Sequence, residues 1–347
     1  MEVDIKFMAR ALDLAKRGLG SVAPNPLVGA VIVYQGRIIG EGYHQYHGGP
    51  HAEVNAINSV EEKDQLKEST MYVNLEPCNH TGLTPPCTGL ILKHSIPRLV
   101  VAQTDPNPVV AGKGIERLKK NGIEVIHGIL EDEAWEVNRR FNTFHEKKRP
   151  FIILKWAQTE DGFVDKVRDK TDPIGPNWIT DDFCRQMVHK WRSEEAAIMV
   201  GTDTAHKDNP KLNVRSWKGK DPLRIVLDQH LRLPENLHLF DSSTQTIVYT
   251  GKEKVSSTNL EYVWMDFDDN ILISLLKDLY QRSVQSIIIE GGTKLLNSFI
   301  KSNLWDEARV FTGPIKFGAG VKAPIFPFEP IEKKSTGNSI LKIYRKT

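Results

Sequence analysis

The sequence has little of several features that mark particular classes of protein. It contains only three cysteines among 347 residues, and its formal net charge is +2. No apolar run approaches the ~20 residues that a membrane-spanning helix needs, which excludes a conventional spanning helix. An odd and small number of cysteines argues against a disulfide-stabilised secreted domain. The near-neutral charge gives no argument for a nucleic-acid or membrane partner.

What the chain does contain indicates a globular protein with more than one domain. Hydrophobic residues make up 40% and charged residues 26% of the chain, a balance typical of globular proteins with sizeable cores. Its 347 residues exceed one ordinary domain, so two domains are expected. The N-terminus is predicted to be a helix and not a signal: Asp4 can cap it and Gly18 can end it. We therefore expect a cytoplasmic protein.

The first half of the chain alternates between helix and strand patterns. Helices are predicted up to about residue 16, from about 52, near 88–94, near 114–121 and from about 131. Strands are predicted at 28–34, 37–40, 71–75, 99–102 and 123–126, with a hairpin around Gln35-Gly36. Alternating strands and helices indicate a layered α/β domain. A charged stretch before Pro150 suggests a junction.

The second half restarts with an apolar strand at 151–156 and contains further helical and strand patterns. Glu290-Gly291-Gly292-Thr293 lies between a predicted strand at 286–290 and a predicted helix at 295–300. Glycines in such a turn let a phosphate approach the backbone amides at the helix N-terminus. Glycine pairs at strand–helix turns are also often required only for steric reasons, so this loop alone leaves nucleotide binding open.

An ordered set of residues in the first half is typical of a zinc-dependent deaminase. His51-Ala52-Glu53 is followed by Pro77-Cys78 and then by Cys87. Imidazole and two thiolates suit Zn²⁺, and three protein ligands leave a fourth position for water, whose pKa zinc lowers to about 7. Glu53, on the first turn of a predicted helix, is suited to carry a proton from water to the departing amino group.

Three other interpretations of these residues compete with catalytic zinc. His-Ala-Glu is common by chance at solvated helix starts, and Cys78 and Cys87 can in principle form a disulfide. A closed structural zinc site needs a fourth ligand, which His47 or His80 can supply, but it leaves Glu53 without a task. We also expect Cys78 near the start of a helix, where amide dipoles favour a thiolate. The complete set favours catalytic zinc.

Motifs in both halves resemble one known family. In the first half they are Pro24-Asn25-Pro26-Leu27-Val28-Gly29-Ala30, Gly42-Tyr43-His44, Pro50-His51-Ala52-Glu53, Leu75-Glu76-Pro77-Cys78, Thr84-Pro85-Pro86-Cys87 and Asp105-Pro106-Asn107-Pro108. In the second half they are Asp161-Gly162, Trp178-Ile179-Thr180, Gly201-Thr202-Asp203-Thr204, Asp208-Asn209-Pro210-Lys211-Leu212, Arg215 and Glu290-Gly291-Gly292. Together they resemble the bifunctional riboflavin-biosynthesis deaminase/reductase family over almost the whole chain.

The resemblance implies two consecutive reactions on a small molecule. A diaminopyrimidinone carrying a ribosylamino 5′-phosphate loses an amino group in a zinc-dependent step, and NADPH then reduces its ribosyl group to ribityl. Residues 1–147 are expected to form a cytidine-deaminase-like α/β/α domain, and residues 148–347 an α/β domain like dihydrofolate reductase. A homo-oligomer, dimer or tetramer, paired through the reductase domain is a further expectation, with no nucleic-acid or membrane partner.

For the deaminase half, the resemblance assigns roles residue by residue. His51, Cys78 and Cys87 hold zinc, and Glu53 carries the proton. Asn25, which is otherwise a turn residue between prolines, contacts the pyrimidine, since an amide both donates and accepts. His44 and His80 line the pocket towards the ribose phosphate. The position of Leu83 is often basic in the family, so one phosphate contact is expected to be missing.

For the reductase half, the resemblance places Lys155 and Asp208 near the reacting ribose as candidate catalytic residues. Asp208 has two possible duties, contact with a ribose hydroxyl of the cofactor and proton handling. The other substrate contacts implied are Arg192, Leu212, Arg215 and Glu290. The implied NADPH contacts are Ala157, Trp178, Thr204, Asp208, Gly292, Thr293, Lys294, Leu295, Leu296, Asn297 and Ser298. Without the resemblance, Trp178 is a core residue, Lys155 and Arg192 are solvated charges, and Asp208 is a turn former. Positioning is the main task, because NADPH itself supplies the hydride.

Some features of the chain remain unassigned by the sequence. The segment between Asp165 and Trp178 looks longer and more polar than in many members of the family, so its substrate contact is not placed. Cys184 is expected to be a small buried side chain. Two other functions compete with the bifunctional enzyme: a deaminase of nucleic acid, which requires a basic groove with aromatic residues, and a domain that binds its ligand without catalysis.

Overall fold

The computed structural model describes residues 2–80, 85–108, 110–169 and 171–346. The chain divides into two compact units, Met1–Lys148 and Arg149–Thr347. Leu83, and with it the prediction of a missing basic contact, lies outside the described residues. Within the described ranges, no helix has the length and apolar character needed to cross a membrane.

The first unit is built on one five-stranded sheet. Its strands are β1 (Gly29–Tyr34), β2 (Arg37–Tyr43), β3 (Thr70–Leu75), β4 (Arg98–Gln103) and β5 (Glu124–His127). Its helices are α1 (Glu2–Lys16), α2 (Ala52–Ser59), α3 (Cys87–Lys93), α4 (Lys113–Lys120), α5 (Glu131–Val137) and α6 (Arg139–Lys147). The strand order is β2-β1-β3-β4-β5, in which β1 is antiparallel to both neighbours and β3, β4 and β5 are parallel.

Helices cover both faces of this sheet, which confirms the predicted α/β/α layering. Side chains alternate between the two faces of a strand. Accordingly, Ile32 of β1 packs in the apolar cluster of α2, α3 and α4, whereas Val31 and Val33 pack in the cluster of α1 and α5. The predicted hairpin at Gln35-Gly36 is confirmed by the β1–β2 pairing.

One predicted helix cap is wrong. α1 already includes Glu2, so Asp4 lies inside the helix and is not its cap. The Asp4 carboxylate instead accepts hydrogen bonds from the Tyr72 hydroxyl at 2.9 Å and from Arg98 at 3.0 Å. The residue thus ties α1 to β3 and β4, a long-range contact that a local pattern does not reveal.

A glycine determines how closely α2 approaches the sheet. A Cβ atom at Gly42 of β2 would lie 2.3 Å from the backbone nitrogen of Ala56 and 2.5 Å from the carbonyl oxygen of Ala52. Only glycine permits this contact with the helix backbone. The contact fixes the start of α2, and therefore the position of His51 and Glu53 beside it.

The second unit is built on a nine-stranded sheet. Its main strands are β6 (Phe151–Gln158), β8 (Ala197–Gly201), β9 (Leu223–Leu227), β10 (Thr246–Thr250), β11 (Leu260–Trp264), β12 (Ser286–Glu290), β13 (Glu307–Thr312), β15 (Glu332–Thr336) and β16 (Ser339–Arg345). A separate antiparallel pair consists of β7 (Phe163–Asp165) and β14 (Val321–Lys322). The helices are α7 (Asp182–Glu194), α8 (Thr202–Asp208), α9 (Ile271–Gln281) and α10 (Thr293–Lys301).

The order of the large sheet is β11-β10-β9-β8-β12-β6-β13-β16-β15, parallel as far as β13 and antiparallel thereafter. β12 is buried throughout, as expected for a parallel strand covered on both faces. α9 and α10 pack on one face, and α7 and α8 pack on the other. Because parallel strands end at the same edge, the segments that follow β8, β9 and β12 meet there.

Candidate active sites

Three potential zinc ligands lie together in the first unit. The Nδ1 atom of His51 lies 3.3 Å from the Sγ atom of Cys87 and 3.6 Å from the Sγ atom of Cys78. A tetrahedral zinc with ordinary Zn–N and Zn–S bonds separates nitrogen and sulfur ligands by roughly 3.6 Å. The donor types and their spacing therefore fit one zinc ion.

The group has the composition of an open site. Within the described ranges, it consists of His51, Cys78 and Cys87, and neither His47 nor His80 belongs to it. The alternative of a closed site with one of these histidines is therefore not supported. All three cysteines of the chain are free thiols, so Cys78 and Cys87 form no disulfide.

The two cysteines reach the site differently from the prediction. Cys87, and not Cys78, begins α3, and Cys78 lies in the preceding loop. The backbone N–H of Cys87 nevertheless donates to the Sγ atom of Cys78 at 3.3 Å. Hydrogen bonds from Cys87 and His51 lower the pKa of Cys78 to about 4, while the hydrogen bond with Cys78 and burial raise the pKa of Cys87. Both thiols lose their protons when a zinc ion binds them.

Glu53 is a buried carboxyl beside these ligands. It lies on the first turn of α2 and is 3% exposed. Burial and the negative charge of Cys78 raise its pKa to about 7, against the opposing charge of His51. A carboxyl with a pKa near neutrality can both take up and return a proton.

His44 and Asn25 form a pair on another side of the cluster. The His44 ring centroid lies 5.4 Å from that of His51. Nδ1 of His44 donates to the carbonyl oxygen of Pro50 at 3.0 Å, so Nε2 accepts from the Asn25 amide, also at 3.0 Å. The contact with His44 therefore fixes the orientation of the Asn25 amide. His80 is exposed in the described structure, and its predicted contact stays a prediction.

The sequence reasoning missed the task of Glu76, two residues before Cys78. Its buried carboxylate accepts backbone hydrogen bonds from Gly112 at 2.8 Å, Gly114 at 2.8 Å and Ile115 at 3.1 Å. These donors lie at the start of α4, where a negative charge is favourable. Glu76 therefore ties the cysteine loop to α4. The only sequence signal is a glutamate between an apolar strand and a proline.

The second unit contains a cleft of about 1140 Å³ at the carboxyl edge of its parallel strands. It is lined by most residues predicted for the reductase site: Lys155, Ala157, Trp178, Arg192, Thr204, Asp208, Leu212, Arg215, Glu290, Gly292, Thr293, Lys294, Leu295, Leu296 and Ser298. Asn297 of α10 is not among the lining residues of the described structure. The cleft is also lined by residues that the sequence reasoning missed, among them Arg168, Arg185, His189, Gln229 and Arg232.

Glu290 is a fixed negative charge in this cleft. Arg192 donates to its two carboxylate oxygens at 2.9 and 2.7 Å, and the Nζ atom of Lys155 lies 3.9 Å away. Burial alone would raise the pKa of Glu290, but Arg192 and Lys155 outweigh it and hold the pKa at about 2. Burial also lowers the pKa of Lys155. Glu290 is therefore suited to accept hydrogen bonds and not to donate a proton.

The two predicted phosphate-binding arginines differ in their surroundings. The fork of Arg192 is occupied by Glu290, and its Nη1 atom donates to the carbonyl oxygen of Asn213 at 3.2 Å. Arg215 donates to the Asn213 side chain at 3.1 Å, and its backbone N–H donates to His189 at 3.4 Å. Burial and the two arginines lower the pKa of His189 to about 4, so His189 is neutral at pH 7.

The glycine turn before α10 brings a helix N-terminus to the cleft. Gly291 and Gly292 have φ of +88° and +78°, a region that residues with side chains rarely adopt. A Cβ atom at Gly292 would also lie 3.2 Å from the Thr204 hydroxyl oxygen. The free amides of such a helix end favour an anion, so this corner of the cleft fits the phosphates of a dinucleotide.

Trp178 is a surface residue of the cleft and not a core residue. It is 54% exposed, and the guanidinium of Arg185 lies 4.5 Å from its ring. Trp178 therefore contributes a partly exposed aromatic ring, paired with Arg185, to the cleft wall. By contrast, Cys184 is buried as expected, and its thiol donates to the carbonyl oxygen of Thr336.

Fold and site together define the class of protein. The first unit has the layering, the His/Cys/Cys group and the buried glutamate of a zinc-dependent deaminase. The second unit has the strand-edge cleft and helix terminus of a nucleotide-binding enzyme.

Comparison with known proteins agrees with this class and narrows it. Residues 1–103 match the model of the cytidine and deoxycytidylate deaminase zinc-binding region, and residues 150–346 match the RibD C-terminal domain. Riboflavin biosynthesis protein RibD of Aquifex aeolicus is 40% identical over 340 residues, covering 96% of this chain and 93% of the relative. The RibD protein of Escherichia coli strain K12 is 34% identical over 337 residues, covering 92% and 90%.

Solved structures are similar over the full length. A diaminohydroxyphosphoribosylaminopyrimidine deaminase/5-amino-6-(5-phosphoribosylamino)uracil reductase from Thermotoga maritima superposes with a TM-score of 0.90 at 38% identity, covering 100% of this chain and 99% of the other. A RibD structure from Acinetobacter baumannii gives a TM-score of 0.89 at 34% identity with the same coverage.

The chain therefore belongs to the RibD family of bifunctional riboflavin biosynthesis enzymes. It has a zinc-dependent deaminase domain and an NADPH-dependent reductase domain, which confirms the predicted family, fold class, activities and cofactors.

Proposed function

We propose that residues 1–147 deaminate a diaminohydroxyphosphoribosylaminopyrimidine by hydrolysis and that residues 148–347 then reduce its ribosyl group to ribityl with NADPH. The proposal is supported by family membership and by the substrates in the name of the Thermotoga maritima relative. The observation that carries the first step is the zinc-compatible spacing of His51, Cys78 and Cys87 beside the buried Glu53.

In the first reaction, His51, Cys78 and Cys87 would hold the zinc, which when bound lowers the pKa of a water molecule. Glu53 takes a proton from the attacking water and returns it to the departing amino nitrogen. Burial raises the pKa of Glu53, which suits a carboxyl that must both take up and release a proton. Ammonia leaves well only after this proton arrives.

The pyrimidine is placed by groups beside the cluster. Asn25, oriented by His44, contacts the ring edge, where an amide can both donate and accept. His44 lines the pocket, and His80 extends it towards the ribose phosphate.

In the second reaction, the cleft holds NADPH and the deaminated intermediate together. NADPH supplies the hydride, and the protein supplies orientation and excludes water. The corner formed by Thr204, Gly292 and the start of α10 receives the cofactor phosphates. Lys155 and Glu290 lie beside the ribose, with Glu290 as a hydrogen-bond acceptor for a hydroxyl group. Lys155, whose pKa burial lowers, is the candidate proton donor.

The substrate phosphate is assigned to the arginine side of the cleft. Arg215 is the more available of the two predicted arginines, because the fork of Arg192 is occupied by Glu290. Arg192 contacts the substrate together with Glu290, and Leu212 packs beside the substrate.

Location and assembly belong to the same proposal. A cytoplasmic location suits a site that needs two reduced cysteines. Assembly into a dimer or tetramer through the reductase domain is proposed from the family resemblance, and sedimentation velocity measures it directly.

Two half-assays test the proposal. With the diaminopyrimidine substrate and no NADPH, the zinc-loaded protein should release ammonia. With the deaminated compound, it should oxidise NADPH. If ammonia is released but NADPH is not oxidised, the second domain binds its ligand without catalysis. Ammonia release from tRNA or single-stranded DNA, and not from the pyrimidine, would favour a nucleic-acid deaminase instead.

A further inference from the structure

The described part of the segment between β7 and Trp178, residues 166–169 and 171–177, is joined to the cleft wall by one buried arginine. The Arg168 side chain is 8% exposed. Its Nη2 atom donates to Asp208 and to Asp165, each at 2.9 Å. Its Nη1 atom donates to the carbonyl oxygens of Gly175 at 2.6 Å and Lys207 at 3.2 Å. One guanidinium therefore joins β7, the segment itself and the end of α8.

Asp165 anchors both ends of this segment. It is the last residue of β7, and Val321 of β14 is its partner in the sheet. Besides Arg168, the Asp165 carboxylate accepts from the Asn177 side chain at 2.7 Å. The backbone N–H of Gly175 also donates to the carbonyl oxygen of Lys207 at 2.9 Å. The segment is thus held against α8 at several points, immediately before Trp178.

The ion pair with Arg168 favours one role of Asp208, accepting a hydrogen bond, over donating a proton. An ionised carboxylate accepts hydrogen bonds and donates none. A carboxylate has two oxygens and can accept several hydrogen bonds. The Asp208 carboxylate can therefore accept from Arg168 and also from a hydroxyl group in the cleft. Proton donation, by contrast, would require Asp208 to be neutral beside a cation.

We propose that Arg168 is a positioning residue of the reductase, which holds the Asp208 carboxylate in the cleft as a fixed acceptor for a ribose hydroxyl of the bound ligands. The inference rests on the proposed use of this cleft in the reductase reaction. It assigns Asp208 to hydroxyl binding, whereas the sequence left both hydroxyl contact and proton handling open. It also gives a task to a segment that the family motifs do not cover.

The charges around Asp208 predict opposite effects for two substitutions. The pKa of Asp208 is raised overall: burial raises it, Arg168 and Lys207 lower it, and the negative charge of Asp165 raises it further. Removing Arg168 should therefore raise this pKa, and removing the charge of Asp165 should lower it. The other charged or titratable groups on the cleft walls are common to both variants: Lys155, Arg185, His189, Arg192, Asp203, Lys211, Arg215, Arg232, His238, Glu290 and Lys294.

The test compares Arg168→Gln, Arg168→Lys and Asp165→Asn, with Lys166→Gln as a matched control. Lys166 is exposed and lies on the same segment, so its substitution removes a positive charge and should leave the activity unchanged. NADPH oxidation with the deaminated compound is measured from pH 4 to 8. In Arg168→Gln the acidic limb of kcat/KM should move to higher pH, and in Asp165→Asn to lower pH. At pH 7, Arg168→Gln should lose about 10- to 100-fold in kcat/KM, mostly through KM.

Arg168→Lys separates charge from geometry. Lysine keeps the positive charge but not the fork, so the acidic limb should stay near that of the wild type while KM rises. Melting of each variant, followed by circular dichroism, identifies a folding defect. An acidic limb that moves in the same direction in Arg168→Gln and Asp165→Asn would overturn the proposal, as would an unchanged KM in Arg168→Gln.

A direct titration keeps this test independent of activity. Carboxyl ¹³C NMR of aspartate-labelled protein, with the Asp208 signal identified by its loss in Asp208→Asn, should show the same two opposite shifts. Opposite shifts in a protein that oxidises no NADPH would refute the proposed reductase function and leave the Arg168–Asp208 pairing intact. A wild-type Asp208 signal in Arg168→Gln would refute the pairing itself.

Discussion

Replacing Arg192 by glutamine should leave Glu290 buried without its main partner. The pKa of Glu290 is held at about 2, compared with an ordinary value of 4.5. This difference, at about 1.4 kcal/mol per pH unit, corresponds to about 3 kcal/mol. Removing one partner of a buried ion pair costs about 3–5 kcal/mol in other proteins, which is a similar size. We therefore expect Arg192→Gln to lower the free energy of unfolding of the second unit by about 3 kcal/mol at pH 7.

The pH dependence of this loss has a definite sign. Because the folded pKa of Glu290 lies below its unfolded value, the stabilisation is fully present above about pH 4.5 and disappears as the pH falls towards about 2. In Arg192→Gln, burial is opposed mainly by Lys155, so the folded pKa of Glu290 rises towards or above its unfolded value and Glu290 no longer adds stability above pH 4.5. The stabilities of the variant and the wild type should therefore converge between pH 7 and pH 3.

Urea denaturation followed by tryptophan fluorescence measures this effect. Trp135 is the only tryptophan of the sequence before residue 149, so the signal reports mainly on the second unit. Arg282→Gln is the control, because its pairs with Asp278 and Glu261 are partly exposed and worth at most about 1 kcal/mol. A loss below 1 kcal/mol at pH 7, or an equal loss at pH 7 and pH 3, would refute the reasoning.

Further predictions concern the first unit. Cys87→Ala should abolish zinc binding measured by mass spectrometry of the metal, whereas Cys184→Ala should retain it; equal zinc contents would contradict the assignment. Glu76→Gln should weaken zinc binding about 10- to 100-fold in a chelator competition, because the cysteine loop loses its link to α4. Gly42→Ala should displace α2 and abolish ammonia release from the diaminopyrimidine substrate, while NADPH oxidation with the deaminated compound persists. Normal ammonia release would show that the helix tolerates the Cβ atom.

The zinc site could be predicted from the sequence because most of its chemistry is local. His51 and Glu53 lie two residues apart on either side of a helix start, and their relation is fixed by the helix itself. The loop that carries Cys78 was harder to place. The Sγ atom of Cys78 accepts a hydrogen bond from the backbone N–H of Cys87, nine residues later, at the start of α3. No periodic sequence pattern predicts this contact.

The reductase cleft shows the opposite case, in which long-range tertiary contacts determine the hydrogen-bond partners of the site residues. Most of the residues that the family resemblance implied do line this cleft, but the partners of those residues come from distant segments. Arg192 reaches Glu290 across 98 positions, and Arg168 reaches Asp208 across 40. Asn138, between α5 and α6, makes another distant contact: its buried side chain accepts from the backbone N–H of Leu27 and donates to the Leu27 carbonyl oxygen. Such contacts depend on how strands are ordered in a sheet, which local patterns do not specify.

The most direct test of two linked activities is NADPH oxidation by Glu53→Gln with each of the two compounds. The wild-type protein should oxidise NADPH with either the diaminopyrimidine substrate or its deaminated product. Glu53→Gln should do so only with the deaminated product, and it should keep its zinc. NADPH oxidation by Glu53→Gln with the diaminopyrimidine, at the wild-type rate and with ammonia released, would contradict the role of Glu53 and the order of the two reactions.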